Sequence, residues 1–214
     1  MRPRSGTRAH GYVDARPKTA LPMARAAFEK PLRLLALLAL SCVLVLAASS
    51  PASAGTRACA SMKATPASVS TDQLAASTLC LLNAQRSRYG VRPLRMSEQL
   101  SEAARRHAAD MERRHYFSHV SRDGSNFVQR IRRTGYLKRA GSWFVGENLA
   151  WGAGPNRSSP RGIVAAWMNS PPHRQNILNA RFREVGIGVV EGSPRRNVFS
   201  MPAGTYATSF GARG

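Results

Sequence analysis

No apolar stretch in this chain reaches the roughly 20 residues that a helix needs to cross a bilayer. The longest apolar run, Leu34–Ala48, has fifteen, and no second one follows it. Cysteine is scarce, with three residues in 214, and none sits in a spacing that marks a metal site or a nucleophile. The chain also lacks the G-x-S-x-G turn of the α/β-hydrolases and the H-E-x-x-H of zinc peptidases. Acidic side chains are few: 11 Asp and Glu stand against 32 Lys and Arg, for a formal charge of +21. Apolar residues are not lacking, and at 43% they exclude disorder throughout and collagen-like repetition.

The run Leu34–Ala48 follows Arg25, Lys30 and Arg33 and precedes Ala52-Ser53-Ala54. Basic region, apolar region and small-residue cleavage site in that order read as a signal peptide cut after Ala54, which makes the protein secreted. Met23 is the more ordinary start for such a signal, so residues 1–22 read as an extension ahead of it. Removing 1–54 leaves enough chain for one domain. It also removes Cys42, leaving Cys59 and Cys80 in a compartment where disulfides persist, and they are expected to pair. That link closes a loop of about twenty residues, worth roughly 3 kcal/mol in the chain-entropy model. A strongly basic exported protein is drawn to anionic cell-surface polymer or lipid. The basic residues are scattered in ones and twos without interleaved aromatics, a pattern that argues against nucleic acid as the partner.

Segment 55–70, rich in Ala, Ser and Thr, reads as a linker tethered by the disulfide, with ordered structure beginning near Thr71. Thr71 or Asp72 is a candidate cap for a first helix with Leu74, Thr78, Leu81, Leu82 and Gln85 on one face and Gly90 as its stop. Ser97 is a candidate cap for a second, with Leu100, Ala104, His107, Ala108 and Met111 inward. A short third follows Ser125. Ser159-Pro160 opens a fourth, which Pro171-Pro172 ends. Val185–Val190 and Thr205–Phe210 read as strands joined by a polar loop at Gly192–Arg196, and Asn197–Ser200 could extend either. Helices around an antiparallel sheet make an α+β domain.

A series of short motifs then occurs in fixed order: Asn83-x-x-Arg86, Ala104-x-x-His107-Ala108-x-Asp110, Ser118-His119, Gly146-Glu147-Asn148, Trp167-x-x-Ser170-Pro171-x-His173-Arg174-x-Asn176, Gly186-x-Gly188 and Phe210-Gly211. Together they resemble the CAP superfamily of cysteine-rich secretory, venom-allergen and pathogenesis-related proteins, and most closely its bacterial secreted branch, over residues 71–211. The resemblance implies an α-β-α sandwich with a three-stranded antiparallel sheet between helical layers. It also implies a groove lined by two His and two Glu. Three of those four carry over, as His119, Glu147 and His173. The fourth position, three residues after Trp167, holds Ser170, so the second carboxylate is absent. Lipid or sterol binding and extracellular interaction recur in the family, and they favour a binding module over an enzyme.

His119, Glu147 and His173 are remote in the chain, and only a tertiary fold can bring them together. Two neutral imidazoles and a carboxylate would make a site for Zn²⁺ or another divalent cation with a position open to water. The same three residues would equally make a hydrogen-bonded polar cluster without metal. Ser121, Asn148 and Ser170 stand near them in sequence as further groove residues, and Trp151 is a candidate aromatic at the rim. A Ser-His-Glu hydrolase can be sketched from Ser121 or Ser170. The alternative to a binding module is therefore a metal-assisted hydrolase of peptide or cell-wall material, with Glu147 as base or ligand. His107, on the apolar face of the second helix, reads as a buried, hydrogen-bonded histidine rather than a ligand, and His115 as a surface residue.

Overall fold

A computed structural model describes residues 12–15, 59–196 and 201–214. Apart from Tyr12–Ala15, the export-signal segment lies outside those residues, as does the possible strand extension Asn197–Ser200. The elements run β1 (Tyr12–Ala15), α1 (Thr71–Arg88), β2 (Arg95–Met96), α2 (Glu98–Arg113), α3 (Phe127–Arg133), β3 (Trp143–Ala153), α4 (Pro160–Met168), α5 (Pro171–Leu178), β4 (Glu184–Glu191) and β5 (Ala203–Arg213).

Order begins earlier than Thr71. From Cys59 the chain forms hydrogen-bonded turns, Pro66 is buried, and Ala64 and Val69 pack on the core, because Cys59 is bonded to Cys80 of α1. The α1 cap is Ser70 rather than Thr71 or Asp72. Its hydroxyl accepts from the Gln73 backbone while the Gln73 side chain accepts from the Ser70 N–H, a reciprocal capping box that neither neighbour could form. At the other end Gly90 takes the left-handed φ of 65° and closes the helix through the Gly90–Ser87 and Val91–Arg86 backbone bonds. On α1 it is Arg86, not Gln85, that is fully buried. Its guanidinium donates to the carbonyls of Arg92, Ile177, Asn179 and Phe182, which lets a cation sit in the core without a carboxylate. Burial lowers its pKa to about 10, with the nearby charge of Arg183 adding to the effect.

The three long strands lie in the order β3-β5-β4, all antiparallel. The expected sheet of three antiparallel strands is too small and too uniform. Two-residue β2 pairs parallel to β4, so residues 59–214 build a mixed four-stranded sheet, and Tyr12–Ala15 runs antiparallel along the outer edge of β3 as a fifth strand. Two short edge pairings of this kind carry too few residues to show a hydrophobic alternation in sequence. β3 itself was not marked by any alternation. It reads Trp-Phe-Val-Gly-Glu-Asn-Leu-Ala-Trp-Gly-Ala, and it is covered on both faces, so it has no polar side to alternate with. α4 stops at Met168, just ahead of Pro171-Pro172, as expected, but the pair does more than end it. The pair fills the first turn of α5, where missing N–H groups cost nothing.

Helices cover both faces. On one, Leu74 and Leu82 of α1, Ile163 and Trp167 of α4, and Ile177 of α5 pack on Ile187, Tyr206 and Phe210. On the other, Leu100, Phe127 and Ile131 meet Val145, and Ala104, Ala108 and Met111 meet Leu149 and Ala207. The α2 face expected from sequence is buried at all five positions. Where β4 lies closest to that helix it offers Gly186 and Gly188. A Cβ on either would overlap the α2 backbone, at Leu100–Ser101 and at Ala104–Arg105 respectively.

Candidate functional site

Consecutive residues of a strand point to opposite faces, and Gly146-Glu147-Asn148 uses both. Glu147 turns toward α3. Its Oε1 accepts from His119 Nδ1 at 2.7 Å and its Oε2 from Arg130 Nη2 at 2.6 Å, and the side chain is 1% exposed. Asn148 turns the other way, where its Nδ2 donates to the His173 carbonyl at 3.0 Å and its Oδ1 accepts from Asn176 at 2.9 Å. Asn176 also donates to the Glu147 carbonyl, which clamps α5 to β3. His119 and His173 therefore reach the same strand from its two sides.

Burial lowers the His173 pKa, and the charge of His119 lowers it further. For Glu147, burial alone would raise the pKa. The hydrogen bond from His119 and the charge of Arg130 outweigh it, and the carboxyl ends below its ordinary value. With Nδ1–H of His119 given to a carboxylate, its neutral ring keeps a lone pair on Nε2. His173 has its Nδ1 2.7 Å from Ser170 Oγ. Ser170 is the N-cap residue of α5 and spends its hydroxyl on that histidine rather than on the helix.

Arg130 is the functional residue that sequence reasoning missed. It is 8% exposed and donates to Glu147, to the His119 carbonyl, to the Ser125 carbonyl and to Ser121 Oγ, fixing the loop that carries His119. Ser121 is thereby tied to Arg130 at 3.0 Å and lies 3.4 Å from His107 Nδ1. His107 is 1% exposed and its Nε2 bonds the Ser118 carbonyl at 2.9 Å. Trp151 is partly buried within β3. It stands four residues along from Glu147, about 13 Å at the usual strand rise, so it is not part of this contact. Phe117 and Val120, 38% and 49% exposed, flank His119 instead.

Glu147 has both oxygens engaged by protein. Among the described residues, no three of His, Cys, Asp and Glu stand close enough together to hold a metal ion. The groups that retain donor capacity are the two imidazoles. A carboxylate behind one of them is the usual support for a metal-ligating histidine. No helix among the described residues is long and apolar enough to cross a membrane.

The Bacillus subtilis protein YkwD is 38% identical over 111 residues, which are 52% of this chain and 40% of that protein. The B. subtilis membrane protein YlbC is 32% identical over 111 residues, 52% of this chain and 30% of its own. The chain thus spans less than half the length of these relatives. An outer surface protein of Borrelia burgdorferi shares the fold, with a TM-score of 0.54 and 20% identity over 68% of this chain and 97% of that one. Residues 79–203 match the model of the Cysteine-rich secretory protein family, CAP. That match spans more than half of the sequence, and the chain belongs to the CAP family.

Proposed function

We propose that this protein is a secreted binding module whose groove, between His119 and His173, takes a divalent cation together with an amphiphile or a cell-surface polymer. The observation that carries the reading is the state of Glu147. A carboxylate that is 1% exposed and held on both oxygens is suited to orienting an imidazole, not to accepting a proton from substrate or water. Export is supported by the basic-apolar-small pattern ending at Ala54 and by the Cys59–Cys80 bond. Exposed Phe117 and Val120 beside His119 offer an amphiphile apolar contact next to a polar centre.

His119 and His173 are the residues that would hold the cation, with Glu147 behind His119 and Ser170 beside His173. When bound, it would supply a positive docking point for a carbonyl or anionic group. A second reading has one observation in its favour. Ser170 Oγ at 2.7 Å from His173 Nδ1 resembles a nucleophile-base contact, as a hydrolase of peptide or wall material would need.

Calorimetric titration with Zn²⁺ tests the first reading. The wild type should bind one equivalent, His119→Ala and His173→Ala should each abolish binding, and Glu147→Gln should weaken it by about 10–100-fold. No uptake by the wild type removes the cation from the proposal. Turnover of a peptide or glycan library that disappears in Ser170→Ala overturns the binding reading in favour of the hydrolase.

A further inference from the structure

Between α2 and α3 lies a half-open cavity of about 400 Å³ whose lining does not include His119, Glu147 or His173. Arg106 and Arg113 of α2, with Arg114 at its C-cap, line one wall, and Arg130 and Arg133 of α3 line the other. Arginine is common throughout this chain, so the residue type alone says nothing. What distinguishes the cavity is five guanidiniums around one concavity: Arg106 is paired with Glu102 and Arg130 with Glu147, which leaves Arg113, Arg114 and Arg133 to share Asp110 and Asp123.

The pairing leaves positive charge over. The single carboxylate of Asp110 serves both Arg113, at 3.4 Å, and Arg114, at 3.2 Å. Arg122 adds another cation close by. It donates to the Arg114 carbonyl and lies over the Tyr116 ring, and among the described residues it pairs with no carboxylate. On the α3 wall Arg133 holds Asp123 at 3.3 Å with both side chains more than half exposed, a pair that contributes little and exchanges readily. Ser121 and Ser125 lie between the walls and supply hydroxyls, while the buried Arg130 closes the floor.

We propose that this cavity is a second binding site, for a small phosphate ester. Planar guanidiniums approaching from two walls match the oxygens of a phosphate, each fork able to give two parallel hydrogen bonds. The volume accommodates a phosphate with a few further atoms. Since the two walls belong to elements packed on opposite sides of the ligand, removing one arginine from each is the informative change.

The test uses the whole chain and sn-glycerol 3-phosphate at 150 mM salt, followed by calorimetry. The wild type should bind one equivalent saturably. The double variant Arg113→Ala/Arg133→Ala should lose at least tenfold in affinity, and the charge-matched control Arg157→Ala/Arg161→Ala, on exposed positions outside the cavity, should stay within twofold. Both targeted side chains are well exposed, and unchanged thermal midpoints would confirm that the fold is kept. Equal losses in the two double variants would reduce the effect to net charge and overturn the site. So would absence of saturation, or binding to phosphatidylglycerol vesicles that persists in Arg113→Ala/Arg133→Ala when the free ester does not bind. The groove reading is untouched by any of these results, because none of the altered residues contacts His119 or His173.

Discussion

At Glu147 a buried carboxylate is balanced by one guanidinium and one imidazole, so the energetics of the site turn on Arg130. Removing one partner of a buried ion pair leaves the other charge without compensation, at a cost of about 3–5 kcal/mol. Arg130→Met should lower the unfolding free energy by that much in urea titrations, and adding Glu147→Gln to it should recover a good part, since the amide carries no charge to strand. A loss below about 1 kcal/mol would mean that His119 alone satisfies the carboxylate. His119, Glu147 and His173 could be picked from the sequence because each lies in a short motif of fixed order. Arg130 could not. It sits among Arg132 and Arg133 on a seven-residue helix, where three arginines look alike until the fold buries one of them. The cap geometry tells a similar story at His115, which takes a φ of 52° at the end of α2 where Gly90 serves α1. Its Schellman bonds, Tyr116 to Met111 and His115 to Glu112, form all the same.

Helices with a cap and an apolar period could be read directly, and α2 shows why: one face meets the sheet along its full length, so burial and periodicity coincide. The same logic fails for β3, which has two buried faces, and for α5, whose first turn is written in prolines. Gly186-x-Gly188 was visible as a motif, but its reason lies in the packing distance between α2 and β4. Without side chains at those two positions the helix backbone can lie directly on the strand. Gly188→Ala would press a methyl into the Ala104–Arg105 backbone, and overpacking against backbone cannot be relieved by a rotamer change. The expected loss is about 3 kcal/mol, measurable as a lower urea midpoint with an unchanged m-value. Because α2 also carries His107 and one wall of the arginine cavity, phosphate-ester binding should weaken in that variant along with stability. An alanine tolerated at full stability would show that α2 rides further from the sheet.

Across the whole molecule, acid acts on both layers of the site in the same direction. Burial and the neighbouring Arg130 hold the His107 pKa below its ordinary 6.5, against the opposing pull of Glu147 and Asp110, and burial lowers His173 as well. A histidine that binds its proton less readily when folded contributes stability that is complete above about pH 6.5 and falls away as pH drops through that value toward the folded pKa. Glu147, lowered from 4.5, adds a second loss that begins near that pH and deepens below it. Urea unfolding between pH 8 and pH 3 should therefore show a plateau, a decline starting near pH 6.5, and a steeper one below about 4.5. In His107→Gln the amide keeps the contacts to Ser118 and Ser121 without a titrating ring, so the first decline should flatten while the second stays. The Cys59–Cys80 bond resists the same acid unfolding from the other face of the sheet by shortening the free chain of the unfolded state. Its reduction should lower the plateau without moving either inflection. If His107→Gln leaves the decline near pH 6.5 as it was, His107 is not what couples this fold to protons, and His173 is.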